Sequence, residues 1–289
     1  MLGETLLGTP RRWQMRRLSR RVRHRLHLAW RRPLAAWRSL PHFIIIGAQK
    51  CGTSSLYAYL TAHPQVIGAS WKEVFFFDNQ FDKGLPWYRA HFPLARRLER
   101  RSAVTGEASP YYLRHPCAAE RIASVLPEIR LIALLRNPVD RAISHYWHQV
   151  KRDREPLTLE DALAAEDERV GDAEAALRAD CSRRRENHQR FAYVRGGLYA
   201  KQLKRYGEHF DSEQLLVLKS ENLFRHTQFT FNRVTDFLGL APWSLEQDKP
   251  RNTASYPETS AATRERLARF FRPHNRVLYD YLNVDAPWW

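Results

Sequence analysis

Short, fully apolar runs alternate along the chain with stretches of helical periodicity. "FIII" (43–46) is too short for a helix and rich in β-branched residues, so it reads as a buried strand. "SSLYAYLTAHP" predicts the helix after it, ending before Pro64, and "QVIG" (65–68) predicts a short second strand. "AVTGEASP" (103–110) has strand character ahead of a polar loop, and "PCAAERIASVLP" (116–127) is helical. "RLIALLR" (130–136) is another buried strand. "NPVDRAISHYWHQVKR" (137–152) opens with Asn137 as N-cap and Pro138 at the first helical position. "EQLLVLKSENL" (213–223) holds the last clear strand. Strands alternating with helices predict an α/β domain, a parallel sheet with helices on both faces. Segment 153–190 is rich in acids and arginines and poor in large apolar residues, so it reads as exposed helices or a mobile excursion.

Residues 1–41 differ from the rest. They are dense in arginine and carry one acid, Glu4. Leu18, Val22, Leu26, Trp30 and Leu34 recur every four residues, with Trp37 close to the same face, which predicts an amphipathic basic helix interrupted or reset at Pro33. Two readings stand side by side: a membrane-surface or polyanion-binding arm, and a helix packed on the domain with its arginines in solvent. With no internal repeat or Pro/Gly/Ser linker, the chain divides into a basic extension, 1–41, and one domain, 42–289.

The whole chain repeats the extension's charge bias. A net charge of +16 over 289 residues predicts attraction to anions without choosing among nucleic acid, acidic lipid, phosphorylated cofactor and anionic glycan. Cys51, Cys117 and Cys181 are far apart, with no CxxC pair and no Cys/His cluster at zinc spacing. That sparse, odd set suggests a reducing compartment and no disulfide scaffold. No apolar run reaches the ~18–20 residues of a membrane span, and no signal-peptide core stands at the N-terminus. The expected location is the cytoplasm, with a peripheral place at the inner membrane surface left open to the 1–41 arm.

Three constellations carry candidate chemistry. "GAQKCGTSSL" (47–56) joins a buried strand to a helix, where free N–H groups and the positive helix end meet. Gly47 and Gly52 permit a tight turn and close ligand approach, Lys50 adds a charge, and Thr53, Ser54 and Ser55 add hydroxyls. The lysine precedes the second glycine, whereas the ATP-binding P-loop places it after. In "LLRNPVDRAISHYWH", Arg136 stands at the C-terminal edge of a strand, where open α/β sheets bind ligands. Asn137, Arg141, Ser144 and His148 share one helical face, so Arg136 and Ser144 could converge on a second anion or simply serve a carboxylate and the helix surface. "WKEVFFFD" (71–78) sets Lys72 and Glu73 beside an apolar block. There a glutamate's proton affinity can be tuned for base catalysis, although a Lys-Glu dipeptide is more commonly a surface ion pair.

Together these segments resemble the sulfotransferases that use 3′-phosphoadenosine 5′-phosphosulfate (PAPS), above all the heparan-sulfate-type and related bacterial glycan enzymes. "IIIGAQKCGTSSLYAYL" is similar to their 5′-phosphosulfate loop, "KEVFFFD" to their Lys-Glu-x-x-Phe-Phe-Asp segment, and "GEASPYYL" to the Glu-Lys-Ser-Pro block. "ALLRNPVDRAISHY" resembles the 3′-phosphate motif, and "RGGLYAKQLKRYGEHF…QLLVLKSENL" (195–223) the later helix and strand. The likeness covers roughly 42–289. It implies a P-loop NTPase-like, three-layer α/β domain around a central parallel sheet. By motif position, Lys50, Gly52, Thr53 and Ser54 would bind the 5′ side of the donor, and Arg136 and Ser144 its 3′-phosphate. Glu73 would be the catalytic base, with Lys72 beside the transferred sulfo group and no metal. "DKPRN" (248–252) stands near the family's late basic loop, which would bring Lys249 and Arg251 to the nucleotide. Two features depart from the family: no obvious disulfide pair or membrane anchor, and Ala108 where the Glu-Lys-Ser-Pro block has lysine.

The resemblance implies sulfo transfer to a hydroxyl or amine of a glycan, a glycolipid or a small hydroxylated acceptor, with no specific nucleic acid partner. Trp87, Tyr88, Tyr111, Tyr112 and Trp147 are candidates to line the acceptor site or to fill the core. A P-loop-type nucleotide kinase fits less well, because Thr53 follows Gly52 and the strand at 130–136 ends in "LLR" rather than aspartate. A non-enzymatic polyanion-binding protein would use the arm and its tryptophans alone.

Overall fold

The computed structural model describes residues 22–182, 186–246, 256–284 and 287–289. Four strands form one parallel sheet in the order β2-β1-β3-β4. β1 (Phe43–Gly47) pairs with β2 (Gly106–Ala108) on one side and β3 (Arg130–Leu135) on the other, and β4 (Leu215–Lys219) closes the sheet beside β3. The apolar runs of β1 and β3 sit at the centre with no solvent access, which is why they read as continuous rather than alternating. "QVIG" does not become a strand: only an isolated bridge forms there, Val66 with Val104. Around that bridge the Ile67 and Ala69 N–H groups donate to the Val104 and Gly106 carbonyls, so the segment follows the β2 edge without forming a continuous ladder.

Flanking helices follow the strands as the alternation required. α1 (Thr53–Ala62) leaves β1, α2 (Ala118–Val125) precedes β3, and α3 (Pro138–Val150) leaves β3. α4 (Tyr199–Gly207), α5 (Thr227–Leu238) and the long α6 (Ala261–Leu282) complete the main layers. Asn137 caps α3 as expected, its side-chain oxygen accepting from the Val139 N–H at 2.9 Å.

The described residues of segment 153–190 are anchored on the domain. Leu159 and Ala162 pack with Val139, Ile143 and Tyr146 of α3 and with Leu267 and Phe271 of α6. Its buried carboxylate Glu155 takes an ion pair from Arg169 at 2.7 Å and a hydrogen bond from Tyr193. A disulfide joins Cys117 to Cys181 and so ties the segment to the start of α2. This corrects the expectation that all three cysteines stay unpaired. A separation of 64 residues hides the pair in the sequence, and with it goes the cysteine argument for a reducing compartment.

Residues 22–31 are helical and continue into a 3-10 turn, Arg32–Trp37, at Pro33. Among the described residues, no helix is long and apolar enough to cross a membrane.

Candidate active site

The loop after β1 turns by left-handed backbone at Lys50 (φ 71°) and Gly52 (φ 87°). For Gly52 the absence of a Cβ is also a packing need, since a Cβ would lie 2.8 Å from the Phe224 ring. Gly47 plays a different part from the one its motif suggested. A Cβ there would stand 2.5 Å from that of Leu113, so this glycine lets the strand end pack against the core. Two long-range contacts fix the loop: Ala48 N–H donates to Leu134 on β3, and Ser220 Oγ donates to the Cys51 carbonyl at 2.9 Å. The Cys51 thiol is buried, and burial pushes it up to about 11, so it is an inert filler. The loop thus delivers Gly52, Thr53 and Ser54 to the start of α1, where the first N–H groups have no preceding turn to serve.

Lys50 reaches His148 of α3, Nζ to Nδ1 3.4 Å. Burial and then the charges of Arg152, Arg136 and Lys151 lower the lysine to about 8. His148 is held down to about 3 by burial, Lys50 and Arg152. Cations from the ends of β3 and α3 therefore gather around a half-buried lysine. Such a group gains strongly from an anion placed among its members.

At the first turn of α1, Lys72 Nζ donates to Ser54 Oγ at 3.3 Å and lies 4.0 Å from Glu73. Both side chains are recessed, 22% and 30% exposed. Burial raises the Glu73 carboxyl, while Lys72 and Arg152 pull it partly back. Burial lowers Lys72, with Glu73 and Glu107 opposing. Arg152 acts on both Lys50 and Glu73, so the loop lysine and the Lys-Glu pair share one electrostatic site.

The four members of the shared α3 face divide. Asn137 caps the helix and His148 meets Lys50. Arg141 turns inward, fully buried, to the Tyr193 carbonyl and His145. Ser144 is 3.4 Å from the hydroxyl of Tyr256, whose ring stacks on Trp147. Arg136 is anchored through its backbone, its carbonyl accepting from Tyr199 Oη at 2.9 Å. Lys249 and Arg251 lie outside the described residues.

A buried hub beneath Glu73 escaped the sequence reading. Glu107 on β2 accepts from Ser109 Oγ (2.7 Å), Tyr88 Oη (2.8 Å) and Tyr112 Oη (3.1 Å). These hydroxyls in turn accept backbone N–H groups from the segment after Glu73. Ser109 Oγ takes those of Val74 and Phe75, and Tyr112 Oη those of Phe76 and Phe77. Four consecutive amides are thereby clamped to one carboxylate. Tyr88, Tyr111 and Tyr112 are buried and belong to the core, not to an exposed acceptor wall. The signal present in the sequence was Glu107 and Ser109 at alternate positions on and just after a strand, hence facing the same way.

The sulfotransferase domain profile matches residues 40–274 of the chain. The chain belongs to the sulfotransferase family. Among its relatives, human heparan sulfate glucosamine 3-O-sulfotransferase 3B1 is 30% identical over 280 residues, covering 87% of this chain and 65% of that protein. The Dictyostelium discoideum membrane-associated sulfotransferase kil1 is 26% identical over 314 residues, covering 86% and 66%. The chain thus spans about two thirds or slightly less of the length of these curated relatives. The solved sulfotransferase structure from Alicyclobacillus acidocaldarius superposes with a TM-score of 0.67 at 31% identity, covering 86% of this chain and 98% of that one. A P-loop-like α/β sulfotransferase fold, with a central parallel sheet flanked by helices, is shared between them.

Proposed function

We propose that the 42–289 domain transfers a sulfo group from PAPS to a hydroxyl or amine of a glycan-type acceptor. The observation that carries this reading is the meeting, around the start of α1, of the Lys50 cation cluster with the Ser54–Lys72–Glu73 group. The relatives named for heparan sulfate glucosamine support a carbohydrate acceptor.

The donor's 5′-phosphosulfate fits at Lys50, Gly52, Thr53 and Ser54. Burial and neighbouring cations disfavour the charged form of this lysine, and an arriving anion offsets that penalty and favours the charge. Arg136 and Ser144 take the 3′-phosphate, Ser144 exchanging its contact with Tyr256 for a phosphate oxygen. Lys249 and Arg251 are assigned to the same nucleotide from the family motif alone. Glu73 accepts the acceptor's proton as the oxygen or nitrogen attacks sulfur. The bond from sulfur to the bridging oxygen breaks, and its electron pair leaves with the phosphate. Lys50 and the N-terminus of α1 stabilise that charge, and Lys72 stands beside the sulfo group in transit. Because burial raises Glu73, activity falls as pH drops through a value above the ordinary carboxylate range.

The test is sulfo transfer from radiolabelled PAPS to desulfated heparan-type oligosaccharides. Wild type labels the glycan, while Glu73→Gln binds 3′-phosphoadenosine 5′-phosphate normally and does not. Magnesium-dependent ATP hydrolysis with no donor binding would return the kinase alternative.

A further inference from the structure

The helix at 22–31 and the turn after it present two opposite faces. The inner face is fastened to the domain. Leu28 and Ala35 are buried, Arg31 donates to the carbonyls of Ala90 and Phe92, and Arg38 donates to that of Phe92. The His24 ring stacks on Trp71 at 4.3 Å, immediately before Lys72 and Glu73. The outer face is apolar and bare: Val22 is 48% exposed, Leu26 65%, Trp30 76% and Trp37 65%. Exposed Arg25 and Arg32 flank it. Residues 1–41 hold eleven arginines and the single acid Glu4.

We infer that this outer face docks on the surface of an anionic lipid bilayer, with Leu26, Trp30 and Trp37 in the headgroup–acyl boundary and Arg25 and Arg32 among the headgroups. The helix packs on the domain through its other face and leaves the apolar stripe outside. The chemistry of that stripe selects the occupant. Nucleic acid or a sulfated glycan would satisfy the arginines but leave two tryptophans and a leucine in water. A second copy would cover the apolar side chains only by bringing exposed Arg25 and Arg32 up against arginines of like charge. An anionic membrane meets both demands, and tryptophan favours its interface. The inner face rests beside Trp71, so docking would hold the Lys72–Glu73 segment close to the membrane.

The test is flotation of the full chain with phosphatidylcholine vesicles and with vesicles that also contain phosphatidylglycerol. It is independent of catalysis, so it separates this inference from the proposed reaction. The wild type is expected to float with the anionic vesicles, and less so as salt rises. The Leu26→Ser/Trp30→Ser/Trp37→Ser variant alters only outward side chains and should keep its Tm while binding roughly tenfold more weakly. Arg25→Gln/Arg32→Gln should weaken binding further at low salt than at high salt. Equal flotation of the triple variant overturns the inference. So does equal binding to uncharged vesicles, or a triple variant whose only loss is heparin or RNA binding or a concentration-dependent dimer.

Discussion

Replacing Ser109 by alanine removes one oxygen from the hub under Glu73. That oxygen accepts from Val74 N–H at 3.1 Å and Phe75 N–H at 3.3 Å, and donates to Glu107 at 2.7 Å. Ser109, Glu107 and Val74 are all shut off from solvent, so water has no ready route to replace it. Two amides and one carboxylate oxygen lose a partner. An orphaned buried polar group costs about 1–3 kcal/mol, and relaxation recovers part of the sum. A net loss of roughly 2–5 kcal/mol is expected, or roughly 5–12 °C in Tm for a domain of this size. The functional effect should be selective. Val74 directly follows Glu73, so loosening its amide disorders the base, whereas Lys50 and Arg136 stand on other elements. At a temperature where both proteins are folded, kcat should fall about tenfold or more while affinity for 3′-phosphoadenosine 5′-phosphate stays near wild type. Calorimetric melting with donor-product titration and a sulfo-transfer assay reads all three quantities. An alanine variant with unchanged Tm and kcat would refute the clamp.

Other outcomes follow from the same geometry. Lys50→Gly relieves a left-handed, crowded cation, so it should raise Tm by a few degrees while abolishing donor binding; a lower Tm would contradict the strain argument. Folding stability should rise with pH from about 8 toward the lysine's unfolded value, because there the unfolded chain holds more protons than the native one, and Lys50→Gly should flatten that slope in denaturant titrations. Donor-product binding at pH 8 should be accompanied by proton uptake, seen as calorimetric heats that change with buffer ionisation. Cys117→Ser/Cys181→Ser opens a loop of 64 residues, for which chain entropy alone sets an upper scale of roughly 4 kcal/mol. Hydrogen exchange should then rise first across 159–191, and uniform exchange through the whole sheet would argue against a local tie.

Much of the frame was readable from pattern. β1 and β3 appeared as apolar runs because strands covered on both faces need no alternation, β4 as a half-buried apolar run at the sheet edge, and α3 announced itself through Asn137 and Pro138. "QVIG" was half right: it lies along the chain at Val104–Gly106 and bonds to it, but two β-branched positions are too few to extend the Val66–Val104 bridge into a strand. The cation cluster was half legible. Lys50 and Arg136 stood in motifs, but Arg152 and His148 join them only through the turn of α3. Of the Glu107 hub only the alternation of Glu107 and Ser109 was legible, since Tyr88 and Tyr112 are brought to the same carboxylate by tertiary packing. The disulfide is a pairing over distance that no spacing rule reaches. The arm's periodicity was plain in the sequence, yet which face would be bare depended on Arg31, Arg38 and His24 finding partners on the domain.

Glu73 and the Lys50 cluster are proposed to form one sulfo-transfer site. Single-turnover transfer from radiolabelled PAPS tests it most directly, run on wild type, Glu73→Gln and Lys50→Ala with donor affinity measured in parallel. The expected pattern is transfer by wild type, donor binding without transfer by Glu73→Gln, and loss of donor binding by Lys50→Ala. Transfer by Glu73→Gln at the wild-type rate, or normal donor binding by Lys50→Ala, would contradict it.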